Sequence, residues 1–261
     1  MPGPLPAQII ALTRDVSSAI DRCELTHLAR RPIDLGRARE QHRSYEQCLR
    51  ELRCTVQRLA EEAEMPDSVF VEDIAVVLDE VAIITRPGAA SRRGERSSVA
   101  KALERFRPLS RIRAPATLDG GDVLRLGKTL YVGRSSRSNE AGRRQLRTAV
   151  EDYGYSVRSV SFDGCLHLKS AVTAVGEGTV LVNPAWVEAA AFAGTDTVEV
   201  DPGEPAAANA LLIGGKVLFP SQHPMTAERL GRGGIKLKLV DVSELTKAEA
   251  GVTCCSLVFD R

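Results

Sequence analysis

The feature that most limits how this chain can fold is a pattern that returns five times. A polar or acidic residue opens a short apolar run, a turn follows, and a second apolar run comes next. The pairs are Phe70–Val77 with Val81–Ile84, Leu118–Leu124 with Thr129–Val132, His167–Val172 with Thr179–Val182, and Ala208–Ile213 with Lys216–Phe219. Thr253–Phe259 is the last instance, at the chain end, and its partner is expected from the N-terminal segment. The runs are rich in Val, Ile and Leu and are joined by Asp-Glu, Gly-Lys, Gly-Glu-Gly or Gly-Gly, so they read as hairpins. Helix-like stretches lie between the pairs at Ser98–Phe106, Asn139–Tyr153, Ala185–Ala193 and Met225–Leu230. A spacing of roughly 40 to 50 residues marks a repeat architecture rather than a dinucleotide-binding sheet. Each unit reads strand–strand–helix–strand, and five such units around an axis make an α/β fold, the five-bladed α/β-propeller. Upstream, Leu35, Ala38, Tyr45, Cys48, Leu49 and Leu52 share one face of a predicted helix that ends near Arg53, and Thr55–Leu59 reads as a strand. Residues 7–22 mix apolar and polar residues loosely, and His42 is read as a helix residue.

Composition narrows the function classes. With 35 Lys and Arg against 34 Asp and Glu, the net charge of +1 gives no basis for nucleic-acid binding. The pairs Arg30-Arg31, Arg92-Arg93 and Arg143-Arg144 are short and scattered, as solvated faces are. No apolar run approaches the roughly 20 residues of a spanning helix, and Met1-Pro2-Gly3-Pro4 does not read as a secretory signal. Six cysteines without a CxxC pair, and four histidines without metal-ligand spacing, suggest free thiols, no metal and a cytoplasmic protein. Residues 1–261 are expected to form one catalytic α/β-propeller domain, able to pair as a homodimer.

The phase of the repeat concentrates the chemistry. Glu72, Asp73, Asp119, Asp122, His167, Asn209 and Cys254 all fall at the opening of the same strand in successive units, so a radial array brings them to one end of the axis. Cys254 and Cys255 are adjacent on a predicted strand, so one faces the channel and the other packs outward. Two buried structural thiols would be the ordinary reading of such a pair; the phase favours Cys254 as a nucleophile. A lone histidine in an apolar run is ordinarily a core residue, but His167 lies in phase with the thiol and can move protons for it. Asp119 opens Asp-Gly-Gly-Asp, a turn by composition, yet Val123-Leu124 after it argues for a strand start. Glu72-Asp73 inside an apolar run is costly to bury unless a cation meets it, and a planar guanidinium with five donors suits two carboxylates. Arg92 and Arg137 follow strands in equivalent loops, where they would clamp a carboxylate at the pocket mouth. The expected partner is therefore a small-molecule substrate with a guanidinium and a carboxylate.

The motifs Phe-Val-Glu-Asp-x-Ala-Val-Val, Ile-Thr-Arg-Pro-Gly-Ala-x-Ser-Arg-Arg, Ala-Thr-Leu-Asp-Gly-Gly-Asp-Val-Leu, Leu-His-Leu-Lys-Ser and Thr-Cys-Cys-Ser resemble those of the dimethylarginine dimethylaminohydrolase (dimethylargininase) family of the guanidino-group-modifying superfamily. The resemblance runs from about Leu25 to the C-terminal strand. It implies a five-bladed α/β-propeller that hydrolyses methylated arginine with no metal or cofactor. By this resemblance Cys254 is the nucleophile, His167 the general acid and base, and Asp119 their supporting acid. Asp67, Glu72 and Asp73 hold the guanidinium, Arg92 and Arg137 hold the carboxylate, and the main chain at Leu25 and Ala248 meets the amine end. Two departures are Glu249, where an Asp is familiar, and Gly-Cys-Leu rather than Gly-Leu before His167. The segment Leu25–Pro32 is the expected lid.

Three rivals stand beside this reading. An arginine deiminase or another substituted-guanidine hydrolase keeps the chemistry and changes the substrate. Amidinotransfer would need an acceptor site, for which the chain has no obvious insertion. A non-catalytic propeller, such as the eukaryotic anti-association initiation factor, would have no reason to place Cys254, His167, Asp119 and Glu72-Asp73 in phase. A reactive thiol of lowered pKa would separate the enzyme from such a binder.

Overall fold

In the computed structural model, which describes residues 8–261, five three-stranded sheets stand around one axis. The Met1–Pro4 stretch, read above as lacking a secretory signal, lies outside the described residues. The N-terminal segment supplies β1 (Ile9–Arg14), α1 (Leu35–Glu51) and β2 (Thr55–Leu59). Then come β3 (Ala75–Val77), β4 (Ala82–Ile84), α2 (Arg96–Leu103) and β5 (Leu109–Arg111), followed by β6 (Val123–Leu126), β7 (Thr129–Gly133), α3 (Glu140–Val150) and β8 (Ser156–Val160). The next unit has a short α4 (Leu168–Ala171) before β9 (Val172–Gly176), β10 (Thr179–Val182) and β11 (Asp196–Glu199). The last has β12 (Leu211–Ile213), β13 (Lys216–Pro220), α5 (Pro224–Arg232) and β14 (Leu237–Val240), and the chain finishes in β15 (Leu257–Asp260).

Every unit repeats one topology. An inner strand forms a hairpin with the middle strand, as β3 does with β4, and after a crossover the outer strand joins parallel to the middle one. In the unit that closes the ring, β15 is the inner strand and pairs antiparallel with β1, Leu257 opposite Leu12, while β2 lies parallel on β1's other edge. The propeller is thus closed by its two chain ends, as the unpaired final hairpin predicted. Inner strands touch around the axis, β15 on β3, β6 on β9 and β9 on β12.

The apolar core is divided accordingly. One cluster joins Val76 and Ile83 to Val123 and Val132, and another joins Val175 and Leu181 to Val217 and Phe219, so each sits between consecutive sheets. A hairpin of three-residue strands cannot bury both faces alone, and stacking against its neighbours supplies the missing surface. The helix α1 begins at Asp34, whose carboxylate accepts from the Arg37 N–H, and stops where Arg53 takes a positive φ of 70°. Its buried face, including Ala38, Tyr45, Cys48 and Leu49, is the one read from the spacing. The stretch Ala185–Ala193 departs from expectation: it holds only a 3-10 turn, Ala189–Phe192, because Pro184 and small alanines provide little apolar stripe to pack. No helix among the described residues is long and apolar enough to cross a membrane.

Candidate active site

The polar residues read as strand openings sit one step earlier. Glu72 and Asp73 lie in a 3-10 turn, Val71–Ile74, ahead of β3, and Asp119 precedes the matching turn Gly120–Asp122 ahead of β6. His167 caps α4, Asn209 follows a 3-10 turn at Pro205–Ala208, and Cys254 lies in the turn before β15. The reason is steric and electrostatic. Near the axis five inner strands converge, and tight turns let side chains and backbone N–H groups point at one another where extended strands would collide. Gly121 shows how close the approach is: a Cβ there would stand 2.6 Å from His167 Nδ1 and 2.7 Å from Asp73 Oδ1. The Asp-Gly-Gly-Asp motif is therefore a contact between units.

Cys254 and Cys255 are likewise on a turn and not on a strand, although the expected division holds. Cys255 is fully buried in the core and Cys254 faces a cavity. The cavity is small, about 20 Å³, and is walled by Cys254, His167, Asp73, Arg92, Arg137, Asp67, Ala248, by Phe70 at the head of the Phe-Val-Glu-Asp motif and, from a segment the motifs did not include, by Glu24.

His167 is the best-defined member. Its Nε2 lies 3.1 Å from Asp119 Oδ2, and its Nδ1 lies 3.8 Å from Asp73 Oδ1. Asp119 is itself held by the Gly88 N–H at 2.8 Å. The backbone beside the imidazole is pinned by the Leu168 N–H, which donates to Asp122 Oδ1, while Ser138 Oγ donates to the other Asp122 oxygen at 2.6 Å. Burial alone would lower the imidazole pKa; the Asp73 charge, the Asp119 hydrogen bond and the Asp122 charge outweigh it and hold it at about 9. Burial also works against the Asp73 carboxylate, but His167, Arg92 and the Gly121 N–H bring it down to about 2.

The thiol behaves oppositely to the sequence expectation of a lowered pKa. Burial pushes Cys254 up to about 12, the Glu72 and Asp73 carboxylates add to the rise, and the Gly251 N–H at 3.3 Å from Sγ and Lys169 oppose it only in part. The protein at rest carries a neutral thiol beside an imidazolium.

Several expected contacts are rearranged. Arg92, expected in a loop at the mouth, is in a 3-10 segment, Ala90–Glu95, and is buried. Its guanidinium pairs with Asp73 at 2.5 Å and Glu95 at 2.9 Å and donates to the carbonyls of Asp67 and Phe70. It reaches the cavity with most of its donors already engaged. Glu72 does not line the cavity. Lys169 Nζ lies 2.6 Å from Glu72 Oε1, and Thr253 Oγ1 donates to Oε2, which makes a floor between the site and a second cavity of about 420 Å³ at the other end of the axis. Lys169 and Thr253 were within the motifs Leu-His-Leu-Lys-Ser and Thr-Cys-Cys-Ser, and their place beside His167 and Cys254 was the signal that could have found them. Asp67 accepts from the Glu24 N–H. Leu25 packs against the core and is not a wall of the cavity, where Glu24 stands instead.

The expected lid crosses the opening and is held. The Glu249 carboxylate accepts from the backbone N–H groups of Thr26, His27 and Leu28, and Arg137 Nη2 lies 3.2 Å from Thr26 Oγ1. Glu249 adopts φ 57°, in the left-handed region, to aim its side chain there.

Asp73, Asp119 and His167 offer ligand atoms within 4.8 Å of one another, the one such group among the described residues. Asp73 is already paired with Arg92, whose charge works against a metal cation at that position. The arrangement suits proton transfer: an imidazolium between two carboxylates beside a thiol can deliver a proton to a leaving nitrogen and then accept one from water.

The family described as "N,N dimethylarginine dimethylhydrolase, eukaryotic" matches residues 15–191. The N(G),N(G)-dimethylarginine dimethylaminohydrolase of Streptomyces coelicolor is 42% identical, with 95% of each chain covered. The protein of that name from Pseudomonas aeruginosa is 36% identical over 96% of this chain and 98% of its own. A solved structure of the Pseudomonas aeruginosa enzyme, a Cys-to-Ser mutant complexed with citrulline, superposes with a TM-score of 0.92 at 33% identity, covering 98% of this chain and all of that one.

Proposed function

Because the chain belongs to the dimethylarginine dimethylaminohydrolase family, we propose that it is a hydrolase of C–N bonds that converts Nω-methylated L-arginine into L-citrulline and methylamine or dimethylamine. The observation that carries the reading is that Cys254 and His167, the latter 3.1 Å from Asp119, both face one small cavity walled by the Asp67 and Asp73 carboxylates.

A guanidinium is a poor electrophile because resonance spreads its charge. Carboxylates at Asp67 and Asp73 orient it and keep it protonated, so its central carbon stays electron-poor. The same cation offsets the negative charges that hold the Cys254 proton in place. Substrate binding therefore lowers the thiol pKa, the Cys254 proton is released to solvent as the cation enters, and the thiolate forms where it is used. Sγ attacks the guanidinium carbon. His167 gives its proton to the departing nitrogen, the C–N bond breaks, and neutral amine leaves an S-alkylthiouronium on Cys254. His167, now neutral, takes a proton from water as the oxygen attacks the same carbon. The C–S bond breaks, its electrons return to sulfur, the remaining hydroxyl proton passes to the departing thiolate to restore the Cys254 thiol, and citrulline forms. Asp119 keeps the imidazole oriented through both transfers. In this reading Glu72 acts through its pair with Lys169, Arg137 takes the substrate carboxylate together with the remaining donor of Arg92, and the main chain of Ala248 and of the segment at Leu25 receives the amine end.

The test is citrulline formation by the purified protein from asymmetric dimethylarginine, monomethylarginine and arginine in separate incubations. Citrulline from the methylated substrates and not from arginine supports the reading. Citrulline from arginine alone would move the activity to arginine deimination, and none from any would overturn it.

A further inference from the structure

Beside the small catalytic cavity lies a larger one, about 380 Å³. The two share Leu166, Glu249 and Ala250 as walls, so one half-buried leucine side chain and one stretch of turn divide them. Gly251, whose N–H lies 3.3 Å from Cys254 Sγ, forms part of the larger cavity's wall. The reacting sulfur is therefore next to this space.

Its lining is uncharged in character. Leu28, Trp186 and Pro220 provide apolar surface. Burial holds the Cys165 thiol up at about 12 and lowers the His223 imidazole, so both are neutral at physiological pH. The one carboxylate, Glu249, is turned to the N–H groups of Thr26, His27 and Leu28. At one wall stands the half-buried Gln222, whose amide oxygen and nitrogen are covered and have no partner among the described residues. Buried amides are ordinarily satisfied, and a cavity of this size matches sites that enclose small organic groups. A mostly apolar space whose Gly251 wall lies 3.3 Å from the nucleophilic sulfur suits an uncharged substituent on the scissile guanidine.

We propose that this cavity receives the Nω-substituent of the substrate, so that the protein hydrolyses arginines carrying neutral alkyl or aralkyl groups larger than methyl. The proposal rests on the hydrolase reading above. The substituent leaves as the corresponding primary amine by the same two steps, with Leu166 swinging aside to admit it.

Trp186 is the chain's single tryptophan, so its emission reports on this cavity alone. The experiment compares kcat/KM for Nω-propyl-, Nω-benzyl- and Nω-methyl-L-arginine in the native protein and in Ala206→Phe, a substitution at an exposed position on the cavity wall. Binding to the Cys254→Ser protein is followed by Trp186 fluorescence. Propyl turnover within roughly tenfold of methyl, a fall of roughly tenfold or more in the propyl-to-methyl ratio in Ala206→Phe, and an emission change with the benzyl compound but not with arginine support the proposal. Methyl turnover without propyl turnover, or a ratio that Ala206→Phe leaves unchanged, overturns it while leaving the hydrolase reading intact. Absence of citrulline from the methyl substrate as well removes both.

Discussion

The hydroxyl of Tyr45, on a helix outside the ring, donates to the carbonyl of Val252 at 2.8 Å and stands 2.6 Å from Ser256 Oγ. These two contacts bracket the turn that carries Cys254, so α1 holds the nucleophile's backbone from behind. Tyr45→Phe strands buried polar atoms on both sides of the turn and is expected to cost about 1–3 kcal/mol. Denaturant unfolding measures that loss, and citrulline formation is expected to fall in kcat more than KM changes. A variant as stable and as active as the native protein would show that the turn needs no such support.

Alkylation of Cys254 should depend on the charge of the reagent. A thiol held near 12 by burial and by Glu72 and Asp73 reacts slowly with neutral chloroacetamide at pH 7. Cationic chloroacetamidine offsets those carboxylates and is expected to react at least about tenfold faster, a margin well above its intrinsic reactivity difference. Equal rates relative to a free thiol would contradict substrate-driven ionisation.

Stability should fall on the alkaline side because of His167. Its folded value of about 9 lies above the ordinary 6.5, so the folded state binds the proton more tightly than the unfolded chain. The contribution, on the order of 3 kcal/mol, is fully present below about pH 6.5 and is lost as pH rises through about 9. Urea unfolding at several pH values, native against His167→Gln, isolates it: the variant is expected to lack that alkaline decline. Parallel curves would place the imidazole near its ordinary value.

Glu249 closes the site by gripping three successive N–H groups. Glu249→Ala should free the Thr26–Leu28 segment. Hydrogen exchange at those amides is expected to accelerate at least about tenfold, equivalent to roughly 1.4 kcal/mol of lost local protection. The substrate KM is expected to rise severalfold. Unchanged exchange would mean that the segment is held by Arg137 and the core contacts of Leu25 instead.

Much of the architecture was legible from the sequence because it is local. Alternating hairpins, Gly-rich turns and a helix between strands repeat within each unit, and their hydrogen bonds and apolar faces are set by neighbours close in the chain. The phase of Cys254, His167, Asp119 and Asp73 followed from that repeat, and so did the closing role of the N-terminal strand. What the repeat could not determine was who meets whom across the axis. Lys169 and Glu72 are 97 positions apart, Glu249 and Thr26 are 223 apart, and each pair forms only when five units close a ring. Arg92 sits in a buried network and not at an open mouth because Glu95, three residues on, and Asp73, in the same unit, meet its guanidinium, contacts that the apolar repeat does not encode. The charge states followed the same rule. Burial and the carboxylates of other units, absent from any local stretch of chain, both raise Cys254, while at His167 those carboxylates raise the imidazole against the opposing effect of burial. Short-range pattern determined the blades and the order of the chemical groups; long-range electrostatics in the closed ring decided how those groups are paired and protonated.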